Sequence, residues 1–151
     1  MKFILAGILC ATLALPLSLS ASLGGDSASI EADRAKLQAS LQTTSKDSYE
    51  VHQLQSATGV AVREYLSSAG NVFAVSWKGP VPPSLPQILG SYYSQYVDAV
   101  KQQQAKRRGH GPIVVQLPGL VVQVGGRARA FFGRAYVPQA VPAGVHLQDI
   151  Q

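Results

Sequence analysis

Acid–base or metal chemistry in this chain would have to run through three histidines, His52, His110 and His146, and eight carboxylates. No two histidines stand four residues apart, the spacing that sets a pair of imidazoles on one helical face around a metal ion. The carboxylates Asp26, Glu31, Asp33, Asp47, Glu50, Asp98 and Asp149 fall in polar or terminal stretches. Glu64 differs, because it lies in a strand-like run where burial could lift a carboxyl pKa; it reads as a solvent-face residue or the cross-strand partner of a basic side chain. The single cysteine, Cys10, excludes both an intrachain disulfide and a four-ligand zinc site built on cysteine pairs. No Gly-x-Ser-x-Gly elbow singles out a serine. Gly109-His110-Gly111 precedes a strand rather than a helix, so it is a turn and not a phosphate loop. No catalytic residue, metal ligand or cofactor is assigned on this basis. A small hydrolase or transferase using Glu64, His52 or His110 stands as the alternative reading.

The basic groups are more ordered along the chain. Met1-Lys2 precedes an apolar run, Phe3 to Leu15, then Pro16 and small residues at Ser18, Ser20, Ala21 and Ser22. That is the form of a secretory signal, with cleavage expected after Ser22; Pro16 and the serines interrupt the ~20 apolar residues a membrane span needs. Cys10 leaves with the signal, and the mature chain is then thiol-free. Setting Lys2 aside lowers the formal charge from +5 to +4. Residues 23–98 hold five basic and seven acidic side chains, whereas residues 99–151 hold seven basic ones against Asp149 alone. Two clusters make up this excess: Lys106, Arg107 and Arg108 beside Lys101, and Arg127, Arg129 and Arg134 interleaved with Phe131, Phe132 and Tyr136. Both are candidate anion-binding groups. An arginine-aromatic strand can also serve as a nucleic-acid platform, but export argues against a nucleic-acid partner.

The elements that must carry these residues follow from periodicity. Charged residues are only 14% of the chain, and 14 glycines and 9 prolines supply more turn formers than a helical bundle uses. Residues 28–42 show thin helical spacing through Ile30, Leu37 and Leu41, followed by a polar linker from Thr43 to Ser48. A period of two then predicts strands over 49–55, 60–66 and 72–77, the last two joined by a turn with Gly70 in the left-handed position. Gly79 to Pro83 breaks the pattern. Ser84-x-x-Gln87 has the form of a capping box, and Leu85, Ile88, Leu89, Tyr92, Tyr96 and Val100 trace the buried stripe of a helix reaching about Arg107. Strands follow over 113–117 and 120–124 about a type II turn at Pro118-Gly119, and over 127–137 after a turn at Gly125-Gly126. Strict alternation puts Arg127 and Arg129 on one face and Arg134 on the other, unless a bulge at Phe132-Gly133 brings Arg134 back. The expected fold is α+β: an antiparallel sheet of two three-strand meanders, a long helix between them packed on it, and a short N-terminal helix. Residues 1–22 form the signal, 23–48 an N-terminal segment with helix and linker, and 49–151 a single α+β domain.

The motif set as a whole resembles a known family. Leu23-Gly24-Gly25, Val62-Arg63-Glu64-Tyr65 and Gly70-x-Val72-Phe73-Ala74-Val75-x-Trp77-x-Gly79-Pro80 belong to it. So do Leu89-Gly90-Ser91-Tyr92-Tyr93, Gly109-x-Gly111-Pro112, Gly133-Arg134-Ala135-Tyr136-Val137-Pro138 and Pro142-Ala143-Gly144-Val145. Together they are similar to the small exported proteobacterial proteins catalogued as domain of unknown function 2844. The resemblance implies an exported, periplasmic or extracellular protein of a Gram-negative bacterium and carries over no catalytic residues. The functional expectation is a non-enzymatic binding module whose basic last third engages an anionic envelope component: a lipid head group, a polysaccharide or an acidic protein. A structural subunit pairing through sheet edges is a further alternative.

Overall fold

In the computed structural model, which describes residues 23–104 and 111–151, seven strands make one antiparallel sheet. They are β1 (Ser40–Ser45), β2 (Tyr49–Gln55), β3 (Ala61–Ser67), β4 (Val72–Gly79), β5 (Ile113–Leu117), β6 (Leu120–Arg127) and β7 (Ala130–Tyr136). Their order across the sheet is β1-β2-β3-β4-β7-β6-β5. The expected α+β class and antiparallel pairing are found. The two separate three-strand meanders are not: a block of four strands and a block of three fuse through a β4–β7 ladder running from Ala74↔Tyr136 to Gly79↔Phe131. The extra strand is β1. Its sequence, Ser-Leu-Gln-Thr-Thr-Ser, holds one apolar residue, so period gives no sign of it. As an edge strand it needs only the β2 ladder on one side.

The helices are shorter than the periodicity suggests. Helix α1 (Ser27–Leu37) is capped by Asp26, whose carboxylate accepts the Ser29 N–H at 3.1 Å, and it stops at Gln38 in the left-handed conformation. The long second helix is broken in two. Helix α2 (Leu85–Leu89) and helix α3 (Tyr93–Gln104) are separated by a 3₁₀ turn over Gly90–Tyr92, with Gly90 at φ +51°. Ser84 is the N-cap of α2 but makes no side-chain cap bond, so the expected capping box is absent. The predicted end near Arg107 lies outside the described residues.

Period-two alternation gives the sheet two different faces. One carries Leu54, Val62, Leu66, Val75, Trp77, Val115, Val122 and Ala135 and is covered by Ile30, Ile88, Leu89 and Tyr96. Leu23 closes this side: its N–H donates to Ile88 O at 3.0 Å, while Gly24 and Gly25 exchange main-chain bonds with Val72. The other face carries Tyr65, Phe73, Ala74, Val121 and Tyr136, covered by Val141, Val145 and Ile150 from the segment after β7. A register shift at Tyr65/Leu66 opposite β4 lets Phe73 and Ala74 join the same cluster.

Two turns depart from expectation. Gly119 does not take the positive φ that a type II turn requires at that position. Gly125 and Gly126 lie inside β6, and the turn falls instead at Ala128-Arg129, with Arg129 at φ +65°.

Candidate functional site

The second face is only partly covered, and its open part is organised by strand register. Antiparallel partners point to the same side, so one row across the sheet reads Gln53, Arg63, Ser76, Arg134, Gln123. The two arginines flank Ser76 symmetrically, two strand spacings or ~10 Å apart at the backbone. Each is held in the same way. Arg63 Nε donates to Gln53 Oε1 and Arg134 Nε to Gln123 Oε1, both at 2.9 Å. Each Nη1 then reaches the covering segment: Arg63 to the main-chain oxygen of Gln151 at 2.6 Å, Arg134 to Leu147 O at 2.5 Å and Ile150 O at 3.3 Å. Between them the buried Tyr65 hydroxyl accepts the Gln151 N–H at 3.0 Å and lies 3.3 Å from Ser76 Oγ.

Beyond this row the face opens into a groove of about 770 Å³. Ile150 and Gln151 border it at the arginine row; Lys78, Gly125 and Phe132 form the next row toward the β6–β7 turn. Phe132 is 55% exposed although it is a large apolar residue. Its ring lies over Gly125, where a methyl group would meet it at 2.8 Å. On the opposite face Trp77 lies over Gly133 in the same way, leaving no room for a methyl group. Each glycine gives an aromatic ring a bare stretch of strand to rest on. A second hollow of about 370 Å³ shares Ala61, Lys78 and Phe132 with the groove and continues to Arg129 and Phe131.

The register β4–β7–β6 is unbroken through Phe132 and Gly133, so there is no bulge there. Arg134 shares a face with Arg127 all the same, because the two lie on separate strands joined by the Ala128-Arg129 turn: Arg127 ends β6 opposite Ala130 and is exposed, Arg134 is four residues further along β7, and Arg129 occupies the turn itself. Arg134 lies at one end of the open face and Arg127 and Arg129 at the other, four residues or ~13 Å along the strand. Lys106, Arg107 and Arg108 lie outside the described residues, as do His110 and the 1–22 segment. Sequence reasoning missed Arg63 and Lys78, which belong to the stretch that is acidic on balance. The signal was available in the strand phase: with β3 antiparallel to β4, Arg63 falls opposite Ser76 and on the face of Lys78.

Glu64 corrects the solvent-face expectation. It is 1% exposed, on the helix-covered side, between His52 and Val75 in the register. His52 is in reach of Glu50, at 3.3 Å, and of Thr43, at 3.4 Å. His146 is exposed and opens the 3₁₀ turn over Leu147–Asp149, its N–H donating to the Asp149 carboxylate. Among the described residues no three His, Cys, Asp or Glu side chains converge as a metal site would require.

Comparison with known proteins places the chain. Residues 19–150 match the family described as "Protein of unknown function (DUF2844)". The chain belongs to that family. No curated protein and no solved structure matches it. Several motifs inside the matched span have a structural role. Leu23-Gly24-Gly25 ties the segment before α1 to β4 and α2; Arg63, Trp77, Gly133 and Arg134 line the groove. No helix among the described residues is long and apolar enough to cross a membrane.

Proposed function

We propose that this DUF2844 protein is an exported, non-enzymatic binding module whose open sheet face takes an anionic component of the cell envelope. The observation that carries the reading is the distribution of charge on that face. Arg63, Lys78, Arg127 and Arg134 lie on three successive cross-strand rows with Arg129 at the adjoining turn, and no Asp or Glu side chain lies on those rows among the described residues. Cations gathered in a concave, partly apolar site attract anions more strongly than the same charges scattered over a surface. Export rests on the signal-like residues 1–22 and accounts for an envelope partner. The reading retains Arg134, Arg127 and Arg129 as anion-binding residues and adds Arg63 and Lys78; Lys106, Arg107 and Arg108 belong to it too but lie outside the described residues.

The test is envelope association of the exported protein. Arg63→Gln with Arg134→Gln, or Arg127→Gln with Arg129→Gln, should weaken it, and raising salt should weaken the wild type, because exposed charges are screened over ~8 Å at physiological ionic strength. Association indifferent to both charge removal and salt would overturn the reading. Intact mass of the exported species should show loss of residues 1–22; retention of that segment would overturn the export component.

A further inference from the structure

Resting on that reading, we infer that the ligand of the groove is a single-chain anionic amphiphile, a free acyl carboxylate, held with its head at the arginine row and its chain along Phe132. Three observations meet here. The first is shape: a concavity of about 770 Å³, continued by one of about 370 Å³, has the dimensions of small-molecule sites, which run ~300–1,000 Å³. A flat bilayer surface would not fill it.

The second is the apolar shelf. Phe132 and Val114 are exposed on this same face, 55% and 41% respectively, and the Phe132 ring lies along the strand over Gly125. Large apolar side chains left open beside cations match a ligand that is itself part apolar and part anionic.

The third is the remaining hydrogen-bonding capacity of the head site. A guanidinium has five N–H donors. In both Arg63 and Arg134, Nε is taken by a glutamine and Nη1 by the covering segment, while Nη2 makes no hydrogen bond among the described residues. The Nη2 of either arginine is left to donate to an acid oxygen. Lys78, one row further and exposed, adds charge without a partner among the described residues to hold it elsewhere.

The experiment is calorimetric titration of the exported protein with dodecanoate below its micellar concentration, with butyrate, with the neutral dodecyl maltoside, and with anionic phospholipid vesicles. Dodecanoate should bind at least about tenfold more tightly than butyrate, since each buried methylene contributes, and more tightly than the neutral amphiphile. Phe132→Ala should weaken dodecanoate about tenfold and leave butyrate unchanged; Lys78→Gln should weaken both. Both side chains are exposed, and an unchanged urea midpoint shows that each variant is folded. Equal binding of dodecanoate and butyrate would overturn the acyl-chain inference while leaving the anion-binding reading in place. Binding to vesicles alone would overturn it in favour of a membrane surface. Absence of all binding, with envelope association indifferent to salt and arginine removal, would overturn both.

Discussion

Gly133 sits beneath Trp77 where any Cβ would overlap the indole, and the cost of filling that space is steric. Gly133→Ala must displace the ring or bend β7, and overpacking of this kind costs roughly 1–3 kcal/mol; a lowered urea midpoint with an unchanged slope checks it. Gly125→Ala acts on the other face, lifting Phe132 off its seat, and should perturb ligand binding more than stability because Phe132 is exposed. The same scale explains why part of the site was illegible. Charge counted along the chain assigns Arg63 and Lys78 to the segment that is acidic on balance. Counted along sheet rows, they stand beside Arg134. Glu64 failed for a related reason: a polar residue alternating with apolar ones in β3 reads as outward, but Val62, Glu64 and Leu66 all point to the helix-covered face, and only the order of strands reveals which side the helices take.

At the scale of elements, the segment after β7 behaves as a clasp. Ile150, 1% exposed, plugs the cluster of Tyr65, Phe73 and Tyr136, and the arginines hold its main chain. Ile150→Ala should cost about 2–5 kcal/mol if the site cannot collapse, and hydrogen exchange at the Gln151 amide should accelerate in step. The tyrosines under these elements give a pH signature. Burial raises the phenol pKa of Tyr96 above its ordinary 10.0, with Tyr93 adding to it; burial raises that of Tyr49 too, with the charge of Asp149 and then Tyr65 adding. Above pH 10 the unfolded chain therefore loses these protons first, and stability falls as pH rises through the folded values. Denaturation midpoints should decline there, and less steeply in Tyr96→Phe. Most elements were legible because alternation and helical stripe are local properties of sequence. The break at Gly90 and the strand β1 were not: the first depends on how two helical pieces settle on the sheet, the second on a ladder supplied by β2.

The whole molecule is a single sheet because β4 and β7 pair, although more than fifty residues separate them in the chain. The four-strand block and the three-strand block each form from neighbouring segments, and local pairing of that kind is quick. Joining them requires closing the long loop that contains α2 and α3. Until β7 arrives, β4 presents an open edge next to the aromatic cluster around Phe73, a state prone to pairing with the wrong partner. The β4–β7 ladder thus makes the chain a slow folder for its size, with the last step of folding set by the arrival of one distant strand.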